Sequence, residues 1–191
     1  MKVLVVYAHP NPESFNHAVV EEFVSGLAEG GHTSEVIDLY GINFDPRLNA
    51  EDLVQFQGGE LPQEVRDQQA KVAGAEALVF VHPMWGWTIP AMLKGWLDRV
   101  FSMGFAYSMS DKGMEGLLKH SKVLVISTAG ETEDYYQSEG YTDAFRKIND
   151  GFFKEAGIQN VQYKCLYGIQ AAGDEGRKKY LEEAHQLGKE F

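Results

Sequence analysis

Four short apolar runs, rich in β-branched residues, punctuate the chain: Lys2 to Tyr7, Ala77 to His82, Lys122 to Thr128 and, more weakly, Val161 to Tyr167. They are nearly continuous rather than alternating, the pattern of strands covered on both faces in a parallel sheet between helix layers. Thr33 to Leu39 alternates more and predicts an edge strand. Between the runs, apolar positions recur at helical spacing. Val20, Phe23, Val24 and Leu27 share one face, as do Met92, Leu93, Trp96, Leu97 and Val100, and Tyr180, Leu181, Ala184 and Leu187 mark a last helix. Gly30-Gly31 and Gly157 fall where such helices end. This alternation of strand and helix predicts a doubly wound α/β domain with right-handed crossovers. The polar stretch from Gly41 to Gln63 reads as a long, partly helical connection. No repeat, low-complexity tract or linker interrupts the pattern, so one domain is expected over 1–191.

Charge narrows the partners. The net charge of -11 repels nucleic acid and anionic membrane, and no local basic patch reverses it. The first apolar run is too short for a signal-peptide core and is followed by His9 and Pro10 instead of a cleavage site. No apolar stretch approaches the roughly 20 residues that a membrane span needs. The single Cys165 cannot form an internal disulfide, which fits a reducing compartment, so the expected location is the cytoplasm.

In such a sheet, ligands sit outside the carboxyl ends of the strands, so the loops after the strands hold the candidate chemistry. After the first strand, His9 is followed by Ser14, Phe15 and Asn16 just before the first helix. Backbone N–H groups at a helix start, with a hydroxyl and an amide beside them, favour an anion, and His9 can add a hydrogen bond. The group reads either as a phosphate cradle built without glycines or as a plain N-cap with prolines stiffening the turn. After the third strand, "HPMWGWTIPAMLKGWLDRVF" puts Pro83, Met84, Trp85 and Trp87 on a loop. Bulky apolar residues there either meet a flat molecule or cap the core, whereas Trp96, on the face of the following helix, reads as core. The loop from Thr128 to Tyr141 opens on small residues that allow close backbone approach, then presents Tyr135, Tyr136 and Tyr141. A tyrosine hydroxyl there can bond a developing negative charge, or the three can anchor the loop. There is no G-x-G-x-x-G, G-x-x-x-x-G-K-[ST], G-x-S-x-G or H-E-x-x-H, which argues against a standard dinucleotide fold, a P-loop enzyme and a serine-hydrolase elbow. His9 and His82 alone do not complete a ligand set, so no metal site is expected.

The stretches "YAHPNPESFNHA", "HPMWGWTIPAMLKGWLDRVF", "STAG" and "YGIQAAGDEGRKKYLEEA" resemble, in order and over most of the chain, the flavodoxin-like NAD(P)H:quinone oxidoreductase family. The resemblance implies a five-stranded parallel sheet in the order 2-1-3-4-5, with helices on both faces. It implies a flavin whose phosphate is held by His9, Ser14, Phe15 and Asn16. The flavin ring would be lined by Pro83, Met84, Trp85, Gly86 and Trp87 on one side and by Ser127, Thr128, Ala129 and Gly130 on the other. Tyr135 matches the family tyrosine that helps stabilise the reduced flavin. Tyr141 stands where the family's partner histidine falls, a departure that leaves a phenol as donor in place of an imidazole. Asp98 and Arg177 match positions that contact the adenosine half of FAD, so FAD is expected, with FMN as the alternative. The implied activity is two-electron reduction of a quinone by NAD(P)H, ping-pong through one flavin face. The implied assembly is a homodimer whose interface covers Phe101, Phe105 and Tyr107. Two other roles fit the same resemblance: a flavodoxin-type electron carrier, and a regulatory subunit of a membrane transporter.

Overall fold

In the computed structural model, which describes residues Met1–Phe191, the four apolar runs and the predicted edge strand form one parallel sheet. In chain order the elements are β1 (Lys2–Tyr7), α1 (Phe15–Glu29), β2 (Thr33–Asp38), a 3-10 helix (Ala50–Gln57), α2 (Gln63–Ala73), β3 (Ala77–Pro83) and α3 (Ala91–Val100). A small hairpin follows, β4 (Tyr107–Ser110) and β5 (Gly113–Gly116), then β6 (Val123–Thr128), α4 (Glu133–Ser138), α5 (Tyr141–Glu155), β7 (Val161–Leu166) and α6 (Gly173–Lys189). The sheet order is β2-β1-β3-β6-β7, with every neighbouring pair parallel. Leaving the hairpin aside, this is the expected 2-1-3-4-5 order. The chain runs outward from β1 to β2 and returns on the other side of β1 to form β3, so the order reverses between β1 and β3. In doubly wound sheets the ligand crevice lies at the carboxyl ends of the two strands that flank such a reversal.

Side-chain alternation along the strands divides the core in two. Leu4, Val6, Leu78, Phe80, Val123 and Val125 face Trp96 of α3 and Phe153 of α5. Val3, Val5, Val79, Val81, Leu124 and Ile126 face Phe23 and Leu27 of α1 and Ala184 of α6. Helices α1 and α6 touch backbone to backbone: a Cβ on Gly26 would lie 2.0 Å from the His185 carbonyl oxygen, and one on Gly188 would lie 2.1 Å from that of Phe23. Only glycine permits this approach.

The long connection is fastened to α3 by a buried ion cluster. Asp52, at 0% exposure, accepts from Arg99 Nε at 3.0 Å and from the Asn49 backbone N–H at 2.7 Å. Arg99, at 1% exposure, also donates to the Asp45 carbonyl at 2.6 Å and pairs with Glu64 at 2.6 Å. Two expectations need correction. Phe101 is not a surface residue; it is buried against Trp96, Phe152 and Phe153, while Phe105 and Tyr107 are half-buried. The segment from Thr128 to Tyr141 is not one loop, because Thr132 accepts from the Tyr135 N–H and starts α4, and Gly140 in the left-handed region (φ 74°) starts α5. No helix is long and apolar enough to cross a membrane.

Candidate functional site

Four contacts draw the three sequence-predicted loops together at the carboxyl end of the sheet. Asn16 Nδ2 donates to Thr128 Oγ1 at 2.9 Å, joining the first loop to the third. The Met84 N–H donates to the Thr128 carbonyl at 2.8 Å, joining the second to the third. The His9 and Trp85 rings lie 5.7 Å apart, and Trp87 stacks on Tyr141 at 5.0 Å with 29° between the planes. The loop after β7 joins them, since the Ile169 N–H donates to the Ala129 carbonyl and the Gly168 N–H to that of Glu131. The sequence marks that last loop only by its resemblance and gives Gly168 and Ile169 no role.

The first loop shows the N-cap of one reading and leaves donors free for the other. Ser14 is the N-cap of α1, and its Oγ accepts from the His17 N–H at 3.2 Å. That oxygen also lies 2.9 Å from the Tyr7 hydroxyl. With Tyr7 as donor, the Ser14 lone pairs are used and its own proton remains to be given away. Phe15 and Asn16 belong to the first turn of the helix rather than preceding it, so their N–H groups have no carbonyl partner inside the helix. Asn16 is only 3% exposed, and its Oδ1 has no partner. A half-turn of the amide lets Oδ1 accept from the Thr128 hydroxyl and frees Nδ2 as a donor. Two free backbone donors, a hydroxyl proton and an amide at a helix N-terminus are the equipment of an anion site.

The second loop is a two-residue turn. Trp85 and Thr88 exchange both backbone hydrogen bonds, at 3.1 and 3.3 Å, and the residues between them are left-handed, Gly86 at φ 56° and Trp87 at φ 62°. Both signs fit a tight hairpin turn, and glycine takes this geometry freely. For Trp87 it costs on the order of 1–3 kcal/mol, a strain that persists only where the surroundings hold it. The result is two large aromatic faces held half out in solvent, Trp85 at 43% and Trp87 at 47% exposure. Met84 is instead buried, Pro83 is the last residue of β3, and Trp96 is in the core as expected. Ser127 and Thr128 are buried at the end of β6, and Ala129 is buried beyond it, with Gly130 exposed.

Tyr135 on α4 and Tyr141 at the start of α5 have ring centroids 6.0 Å apart. Desolvation first, then the neighbouring Tyr141, raises the Tyr135 phenol, so it stays a proton donor at neutral pH. Tyr136 is buried against Tyr167 and serves the core. Behind this layer lies a cavity of about 180 Å³ that shares Met84 and Ser127 with the site and is closed by Thr142, Phe145, Cys165 and Tyr167. Burial pushes the Cys165 thiol up to about 11, so it is no nucleophile at neutral pH. Of the two residues matched to adenosine contacts, Arg177 donates to the Ile169 carbonyl at 3.3 Å, the residue whose own N–H bonds Ala129. Asp98 pairs with Lys94 on the exposed face of α3 and bonds to none of the loops.

A profile for the flavodoxin-like fold matches residues 1–188. An uncharacterized NAD(P)H oxidoreductase of Haemophilus influenzae is 33% identical over 97% of this chain and 93% of its own length. The structure of an NAD(P)H:quinone oxidoreductase from Methanothermobacter marburgensis superposes with a TM-score of 0.92 at 34% identity, covering 99% of this chain and 98% of that one. An FMN-dependent NADH-azoreductase of Bacillus anthracis, solved in complex with FMN, gives a TM-score of 0.77 at 25% identity over 99% of this chain and 98% of its own.

Proposed function

The chain belongs to the flavodoxin-like family of NAD(P)H oxidoreductases, and from that premise we propose that it catalyses the flavin-dependent two-electron reduction of quinones by NAD(P)H. The observation that carries the reading is the junction of Asn16 with Thr128 beside the exposed Trp85-Gly86-Trp87 turn, an anion cradle and a flat aromatic surface side by side. The residues fit a flavin phosphate: the Ser14 hydroxyl, the Phe15 and Asn16 backbone N–H groups, the Asn16 amide nitrogen once its oxygen turns to the Thr128 hydroxyl, and the adjacent His9 are donors of the kind an anion requires. A bound flavin would supply the two-electron redox chemistry between NAD(P)H and the acceptor. The protein supplies the rest. Trp85 and Trp87 present apolar faces on which planar rings stack and from which water is excluded. Ser127, Thr128, Ala129 and Gly130 bound the opposite side, and Tyr135, with Tyr141 beside it, offers a phenol proton to negative charge developing on the ring.

FAD is the proposed cofactor, its adenosine half resting on Arg177 and Asp98, with FMN as the shorter alternative. A homodimer in the cytoplasm is the proposed setting, with a second subunit over the exposed tryptophans. The purified protein is expected to be yellow, to release one flavin per chain on denaturation, identified as FAD by chromatography, and to oxidise NAD(P)H only when a quinone is present. A colourless protein that neither FAD nor FMN reconstitutes ends the flavin reading. A yellow protein without NAD(P)H oxidation is instead the electron carrier or the regulatory subunit.

A further inference from the structure

Among buried titratable groups, His82 has no part in the mechanism above, yet it sits at the root of the tryptophan turn. It is fully buried on β3, opposite Ser127 in register, with the Phe145 ring of α5 6.1 Å away. Its Nδ1 lies 2.9 Å from the carbonyl oxygen of Pro83, the next residue, and its Nε2 has no protein partner. Pro83 closes β3 without an N–H to give to the ladder, so the strand end is tied less firmly than its neighbours where the turn begins. We infer that His82 is a positioning residue for the Met84–Trp87 segment, its Nδ1–H holding the Pro83 carbonyl and with it the Pro83–Met84 peptide that leads into the turn carrying Trp85 and Trp87. A carbonyl is an acceptor only, so Nδ1 carries the proton and the tautomer is fixed. Burial pushes the imidazole down to about 4 with no charged neighbour contributing, so it is neutral at pH 7. Glu133, Arg146 and Lys164 line the cavity that Ser127 and Phe145, two neighbours of His82, also border.

The effect on flavin binding rests on the function proposed above; the effect on the loop does not. Both are read in three variants. Asparagine places its amide nitrogen close to the Nδ1 position, glutamine places it nearer Nε2, and leucine has no donor. In the flavin-free protein, amide exchange at Met84 and Trp85, whose N–H groups bond Thr128 and Thr88, is expected to accelerate in His82→Leu and His82→Gln and to stay near wild type in His82→Asn. The flavin dissociation constant follows the same order, rising about three- to tenfold in His82→Leu and His82→Gln, the range of one lost hydrogen bond. The visible spectrum of bound flavin shifts in those two variants and returns in His82→Asn. Unchanged exchange in His82→Leu, or rescue by glutamine and not by asparagine, overturns the assignment. Altered exchange in a protein that binds no flavin at all upholds the role of His82 and removes the flavin reading instead. If His82→Leu does not fold, the contrast between His82→Asn and His82→Gln still decides.

Discussion

The two ends of helix α3 treat polar groups in opposite ways. At its last turn, Arg99 and Asp52 are buried with their charges met by each other, by Glu64, by the Asp45 carbonyl and by the Asn49 N–H. The segment before its first turn holds a left-handed tryptophan, two half-exposed indoles and an imidazole nitrogen without a partner. Of the four buried side-chain atoms that lack a protein partner, three belong to Asn16, His17 and His82, all at the carboxyl end of the sheet. A buried polar atom without a partner lowers stability. That such atoms gather at the carboxyl end of the sheet, while the ion cluster is fully paired, separates the part of the molecule that fastens the chain from the part proposed to meet a ligand.

Removing one partner from the fastening end is expected to have the largest effect. Arg99→Met leaves Asp52 buried without its counter-ion and should cost about 3–5 kcal/mol in urea denaturation, while flavin affinity of the folded protein is unchanged. An unchanged midpoint would erase the distinction between the two ends.

Acid acts on the other end. The His82 pKa in the folded protein, about 4, lies below its unfolded value near 6.5, so only the unfolded chain takes up this proton between those values. The contribution is complete above pH 6.5 and is lost as pH falls towards 4, at about 1.4 kcal/mol per pH unit, or about 3 kcal/mol in all. The difference between wild type and His82→Asn isolates it, and parallel pH profiles for the two would refute it. Ser14→Ala sharpens the contrast, since one hydroxyl is the N-cap and, in the proposed site, a phosphate donor: about 1 kcal/mol of stability from the lost cap is expected, with weaker flavin binding in the same variant. Tyr135→Phe should slow flavin reduction by NAD(P)H about tenfold in stopped flow, or about 1.4 kcal/mol, because the ring is only half-buried and water partly replaces the hydroxyl. Trp87→Gly has the smallest expected effect on stability. Relief of left-handed strain and loss of the Tyr141 stack offset each other to within about 1 kcal/mol, while quinone turnover falls.

The sheet was legible because its strands are buried on both faces, and an unbroken apolar run such as Val3 to Tyr7 has few other fates. Trp96 was legible as core by its spacing from Met92. The hairpin was not, because Tyr107–Ser110 and Gly113–Gly116 are short, polar and largely exposed. Helix α4 escaped notice because its six residues carry one buried side chain, Tyr136, too few to show a period. Phe101 lies beyond the helix pattern, which stops at Val100, while the chain stays buried for two residues more, through Ser102. Arg99 and Asp52 lie 47 residues apart, and nothing in either neighbourhood announces the other. The candidate loops were found by position at the strand ends. Their internal geometry, with a tryptophan in the left-handed region and a capping serine bonded to Tyr7, depends on contacts that no single stretch encodes.

The close crossing of α1 and α6 bears on how the protein is made. Almost the whole chain separates these helices, so while the ribosome is still working through β7, the sheet face built from Val3, Val5, Val79 and Val81 is covered by α1 alone. Contacts that distant in sequence form late, and an uncovered apolar face is where nascent chains associate or are held by chaperones. Yield in expression therefore hinges on the interval before α6 closes, and a Gly188→Val chain, whose added atoms meet the Phe23 carbonyl, is trapped in that interval.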